Sequence, residues 1–98
     1  MIRHTVAFTL NHATGSESEA DFLHAIRKLV NIPTVKNFEC LRQISKKNNF
    51  DFVLSMEFSD SHDYQVYNEH PDHVHFVQTR WIPEVSDFIE LDYEPLNP

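Results

Sequence analysis

Four of the seven histidines in this chain, His62, His70, His73 and His75, crowd into one short stretch. Three of them sit in Tyr67-Asn68-Glu69-His70-Pro71-Asp72-His73-Val74-His75-Phe76. Imidazole titrates near neutrality, and a tyrosine hydroxyl can orient it or share its proton, so Tyr67 and His73 suit acid–base chemistry. Metal binding is a competing chemistry, with Glu69, His70, Asp72 and His73 as donors. The proline between His70 and His73 breaks the i, i+4 geometry of helical zinc pairs, so no metal site is expected. A third reading makes His4 and His73 buried polar residues, satisfied by backbone or by Tyr67, that fix how a helix sits on a sheet. His12, His24 and His62 fit a solvated surface.

Other chemistries lack their signatures. Gly15 is the only glycine, so no Gly-rich loop can cradle a phosphate and no cofactor is expected. Neither a Ser-His-Asp nor a Cys-His nucleophile pattern is present. Cys40 stands alone, which rules out an internal disulfide, suits a buried strand position and points to a reducing, cytoplasmic setting. Met1-Ile2-Arg3-His4 runs directly into strand residues without a leader pattern, and no apolar run approaches membrane-spanning length. Eight basic against fifteen acidic residues leave a net charge of -7. Such a surface repels nucleic acid, and Arg42, Lys46 and Lys47 fit an exposed turn better than a binding stripe.

The elements that must position these groups follow from periodicity. Ile2, Val6, Phe8 and Leu10 alternate with Arg3, Thr5, Ala7 and Thr9, a strand that carries His4 on its apolar face. Gly15 and a Ser16-x-x-Glu19 capping box open a helix. Its expected stripe is Ala20, Leu23, Ile26 and Val30, with Phe22 and Leu29 beside it. Pro33 stops that helix. Val35 to Ile44 reads as a second strand with Phe38, Cys40 and Ile44 on one face, then a turn at Lys46 to Asn49. Phe50, Phe52, Leu54, Met56 and Phe58 alternate with polar or smaller residues in a third strand. Ser59-Asp60-Ser61 starts a second helical region, which His70-Pro71 interrupts and Pro71 restarts. Val74, Val77 and Trp81 give the expected stripe there, Pro83 ends it, and Ser86 to Tyr93 closes the chain as a strand with Ile89, Leu91 and Tyr93 in alternation.

The order is strand, helix, strand, strand, helix, strand. It predicts one α+β domain over residues 1–98, a ferredoxin-like βαββαβ unit with a four-stranded antiparallel sheet. Both helices are expected over the face that carries Val6, Phe8, Phe52, Leu54 and Met56. The opposite face, with Thr5, Ala7, Thr9, Val53 and Ser55, would then be open. A chain this short gains by covering that face with a second copy of itself, as a dimeric α/β barrel.

Ile2-Arg3-His4-Thr5-Val6-Ala7-Phe8, Ile32-Pro33-Thr34-Val35-Lys36, Tyr67-x-x-His70-Pro71-x-His73-Val74-x-Phe76 and the closing Asp92-Tyr93 together resemble the stress-responsive A/B barrel domain family over nearly the whole length. The resemblance implies a homodimer that binds a small apolar or carbonyl-bearing ligand, with no assigned reaction. Its alternative implication is an acid–base enzyme of polyketide cyclase or isomerase type, because a plant polyketide cyclase of similar sequence uses a Tyr and a His in this segment. Carried over, His73 would remove an acidic proton, Tyr67 would orient the base or donate to the enolate, and His4 matches a first-strand histidine. Val6, Phe8 and Leu54 would shape an apolar pocket, with His70 and Trp81 as further candidate ligand contacts. Phe52 stands where the cyclase has a second strand histidine, so it fills space without offering a hydrogen bond. No sequence feature favours a monooxygenase like those of other dimeric α/β barrels.

Overall fold

Side-chain alternation sets the sheet. In the computed structural model, which describes residues 1–97, strand β1 (Ile2–Leu10) buries His4, Val6, Phe8 and Leu10 and turns the residues between them the other way. Strand β3 (Phe52–Phe58) buries Phe52, Leu54, Met56 and Phe58 in the same manner. The two pair antiparallel from Ile2 opposite Phe58 to Phe8 opposite Phe52, so their buried residues lie side by side. Strand β2 (Lys36–Arg42) flanks β3 and strand β4 (Val85–Tyr93) flanks β1, giving the order β2-β3-β1-β4.

Helix α1 (Glu17–Arg27) joins β1 to β2, while α2 (Ser61–Glu69) and α3 (Pro71–Phe76) join β3 to β4. This is the ferredoxin-like α+β fold that the element order predicts. The helix starts obey local chemistry. Ser16 accepts from the Glu19 N–H at 3.2 Å, and Asp60 accepts from the Asp63 N–H at 2.8 Å, each satisfying a first-turn donor. The Glu19 carboxylate turns back to the Gly15 N–H rather than to Ser16, whose own N–H bonds the Ala13 carbonyl.

Three local expectations change. The buried side of α1 is Phe22 and Ile26, continued by Leu29 in a 3₁₀ turn at Lys28–Asn31, while Ala20 and Val30 are exposed. Phe22 decides this, because its ring meets those of Phe8 at 6.0 Å and Phe76 at 5.5 Å, and Ala20 lies about 200° around the helix from it. Val74 is likewise exposed, and Phe76 takes the core position expected of it. A π-helical turn at Val77–Trp81 then adds a residue to the turn and brings Trp81 back over Phe8, ring centroids 5.1 Å apart. Ile44 lies beyond β2 and is exposed, and Phe50 precedes β3, so the second and third strands are shorter than their apolar patterns suggest.

The core fills the space between helices and sheet, from Leu10 and Phe22 at one end to Phe58 and Tyr67 at the other. Among the described residues no helix is long and apolar enough to cross a membrane.

Candidate functional site

The alternation that buries Val6 and Phe8 also buries His4, and an imidazole taken out of water needs a partner. Strand register supplies one, because β1 and β4 set His4 directly opposite Asp92. His4 Nδ1 lies 2.6 Å from Asp92 Oδ1. Tyr64, one helical turn into α2, reaches the same pair. Its hydroxyl sits 2.8 Å from His4 Nδ1 and donates to Asp92 Oδ2 at 2.9 Å. An ionised carboxylate only accepts, so His4 Nδ1 carries a hydrogen, and Nε2 is the ring nitrogen that these bonds leave open. Burial first, and then Asp92, push the Tyr64 hydroxyl well above the ordinary tyrosine range, so it stays a proton donor.

The break at Pro71 places the second histidine. His70 adopts an extended conformation before the proline, and its Nδ1 accepts from the Asp72 N–H at 3.1 Å as the N-cap of α3. The chain then turns so that His73 folds back over the end of α2. Its Nδ1 donates to the Asn68 carbonyl at 3.0 Å, and its ring lies 4.4 Å from that of Tyr67. A carbonyl also only accepts, so His73 Nδ1 carries a hydrogen and Nε2 is the nitrogen that would take up a second proton. Burial holds its pKa below the ordinary histidine value, and the bond to Asn68 only partly opposes this. Tyr67 is 2% exposed, packed on Phe58 at 5.1 Å, and burial pushes its hydroxyl well above the usual range. The site therefore combines a His73 imidazole that resists protonation, two protonated phenols and the hydrogen-bonded His4–Asp92 pair.

These groups converge on a cavity of about 510 Å³ between the sheet and the α2, α3 and π-turn segment. His4, Val6, Leu54, Tyr67, His73 and Trp81 all line it. The other sequence candidates stand elsewhere. Phe8 and Phe52 lie in the core behind the cavity, 5.6 Å apart, and His70 is spent on its capping bond. Of the two partners the sequence left open for His73, backbone and Tyr67, the hydrogen bond goes to backbone, and Tyr67 meets it by ring contact. Tyr64, Asn68, Asp92 and Glu90 are functional candidates that sequence reasoning passed over. A usable signal existed for two of them: Ile89, Leu91 and Tyr93 share one face of β4, which sends Glu90 and Asp92 to the helix-covered side.

Among the described residues no three or more of His, Cys, Asp and Glu converge as metal donors. Cys40 is partly buried, and burial raises its thiol pKa, so it is a poor nucleophile.

The lowered pKa of His73 makes a stability prediction. The unfolded chain binds a proton at this residue near pH 6.5, while the folded chain resists it until a lower pH, so acidification favours unfolding across that window. Unfolding free energy measured by urea titration at pH 7.5, 6.5 and 5.5 should fall with pH more steeply in the wild type than in His73→Gln. Parallel slopes would show that His73 titrates alike in both states.

A family model for the stress responsive A/B barrel domain matches residues 2–95. Among solved structures, a Dabb family protein with a ferredoxin-like fold from Mesorhizobium loti is 55% identical, with 98% of this chain and 97% of that chain covered and a TM-score of 0.97. A dimeric ferredoxin-like protein of unknown function from Thermobifida fusca is 23% identical over 94% and 88% of the two chains, TM-score 0.77. A hydroxynitrile lyase from Passiflora edulis shares the fold at 16% identity, covering 99% and 96%, TM-score 0.83. No curated protein matches the chain. The family match over nearly the full length, together with the Mesorhizobium relative, places this chain in the stress-responsive A/B barrel domain family.

Proposed function

We propose that residues 1–98 act as one cytoplasmic domain, a homodimer whose cavity takes a small, largely apolar, carbonyl-bearing ligand. The observation that carries this reading is the convergence of His4, Tyr67 and His73 on one apolar cavity. Its size suits a small organic molecule, since such sites hold roughly 300–1,000 Å³. A carbonyl oxygen has lone pairs to accept from a phenol that keeps its proton, as Tyr67 does. Support for the dimer comes from the exposed apolar residues Leu41, Ile89 and Leu91 on the uncovered sheet face, and the Thermobifida neighbour is itself dimeric. The net charge of -7 speaks against nucleic acid as a partner, and the lone free cysteine fits a reducing compartment.

A second reading, acid–base turnover of cyclase or isomerase type, is favoured by one specific observation. His73 has Nδ1 tied to the Asn68 carbonyl and resists protonation, which leaves its Nε2 lone pair as a base beside the Tyr67 donor. In that reading Nε2 of His73 takes the proton next to the carbonyl while Tyr67 donates a hydrogen bond to the oxygen on which the enolate charge gathers.

Acetophenone tests both readings in one sample. Titration into ¹⁵N-labelled protein should give saturable shifts at Tyr67, His73 and Val77, with a Kd in the micromolar to millimolar range, about -4 to -8 kcal/mol. Tyr67→Phe should weaken it. If turnover occurs, exchange of the methyl protons in D₂O is faster than in buffer, and His73→Gln lowers that rate by about a hundredfold or more. Absence of saturable binding would sink the ligand reading, and binding without accelerated exchange would sink the enzymatic one.

A further inference from the structure

Glu90 is the one carboxylate among the residues lining the cavity, and among the described residues neither lysine nor arginine joins it there. Alternation along β4 puts it on the same side as Phe88, which lines the cavity, and Asp92, which bonds His4. The two acids differ in what they already hold. Both oxygens of Asp92 are occupied, one by His4 and one by Tyr64. The ion pairs among the described residues involve Arg3, His4, His12, His70 and Arg80 and leave Glu90 out. Glu90 stands exposed at the rim, and its charge makes Tyr64, Tyr67 and His73 each hold a proton more tightly.

A ligand that fills the cavity comes up against this carboxylate on the side that faces the cavity. Removing a charge from water without supplying a partner is unfavourable, so at this exposed rim a neutral apolar ligand gains nothing from the carboxylate and an anionic ligand is repelled. A positive charge reverses the sign. It pairs with Glu90, and the aromatic rings around it add to the attraction, because Trp81 and Phe88 meet edge to face at 5.5 Å on this wall, with Tyr67 also in the lining.

We propose that the cavity selects an organic cation, a carbonyl compound that also carries an ammonium group, and that Glu90 is the specificity-determining residue that receives the positive end. The inference rests on the cavity being a ligand site, as proposed above, and the test separates the two. Three phenyl ketones share one skeleton and differ in charge: phenacyltrimethylammonium, acetophenone and benzoylformate. Isothermal titration of the full chain should rank them in that order, with the cation about tenfold tighter than acetophenone. Glu90→Gln should erase the gap between cation and neutral ketone and improve benzoylformate, while acetophenone binding stays within about twofold.

Asp87→Asn on the same strand, paired opposite Thr9 on the uncovered face, is the control for the overall negative charge. It should leave the ranking unchanged. Equal binding of the cation and acetophenone to the wild type would overturn the role of Glu90 while leaving the cavity a ligand site. An equal loss of selectivity in Asp87→Asn would also overturn it, by tracing the preference to the general field of the protein. Failure of all three ketones to bind would overturn the ligand reading itself, and this inference with it.

Discussion

Phe8→Ala lowers the unfolding free energy by about 3–5 kcal/mol, the cost of emptying a fully buried aromatic site. Phe8 is 0% exposed and its ring meets three others, Phe22 at 6.0 Å, Phe52 at 5.6 Å and Trp81 at 5.1 Å. These neighbours come from α1, β3 and the π turn, so one truncation opens a void where helix, sheet and turn meet. The surroundings can relax only in part, since none of the three rings can move inward without leaving its other contacts. Against a total stability of about 5–15 kcal/mol this is a large fraction, and the midpoint of thermal unfolding should drop by more than about 10 °C. The effect extends to the cavity, because Trp81 loses the ring it leans on. Thermal melts at one fixed protein concentration read the loss. Ile44→Ala, at a residue 86% exposed, should lie within about 0.5 kcal/mol of wild type. A Phe8→Ala variant as stable as Ile44→Ala would mean that the ring cluster does not hold the helices to the sheet.

The fold was legible because its strands keep strict alternation and its helices carry start and stop signals. β1 runs over Ile2–Leu10 as its pattern indicates, and the His70-Pro71 break separates α2 from α3 where proline geometry requires. What a single sequence does not resolve is competition between neighbouring apolar residues for one core. Phe22 displaced Ala20, and Phe76 displaced Val74, since a large ring, Phe22 against Phe8 and Trp81 or Phe76 against Phe22, buries more surface than a smaller side chain two positions away. The π turn at Val77–Trp81 has no sequence signature of this kind. It matters because it decides which side of the helix Trp81 shows to the cavity.

The candidate site was half legible for a related reason. His4, Tyr67 and His73 are conspicuous as residue types, and parity alone sends His4 inward. Their partners depend on pairings that are far apart in the chain. Asp92 becomes the partner of His4 only through the β1 to β4 register, and Tyr64 reaches both because α2 lies across that edge of the sheet. Those partners fix which imidazole nitrogen is free, so the chemistry is set by topology as much as by motif.

Val53→Asp separates the proposed homodimer into folded monomers. The uncovered sheet face carries one apolar row that crosses all four strands: Leu41 opposite Val53, Val53 opposite Ala7, and Ala7 opposite Ile89. The next row mixes Glu39, Ser55, Thr5 and Leu91, and the one after it holds the Arg3 to Glu57 ion pair. A second copy packed face to face would put the apolar row near the centre and the charged row toward the rim, the distribution that stable interfaces share. Val53 sits on an inner strand of that row. A two-fold interface uses the same patch on both copies, so one substitution buries two carboxylates close together without counter-charges. Each unpaired buried charge costs about 3–5 kcal/mol, which raises the dissociation constant by about a hundredfold or more. Light scattering on a size-exclusion column should then read one chain mass instead of two at the same loading. Circular dichroism should remain native, because Val53 points away from the Phe8 and Phe22 core, and Ile44→Asp beyond the sheet should leave the dimer intact. A Val53→Asp protein that still elutes as two chains would show that this face does not form the interface, and the apolar row would need another cover.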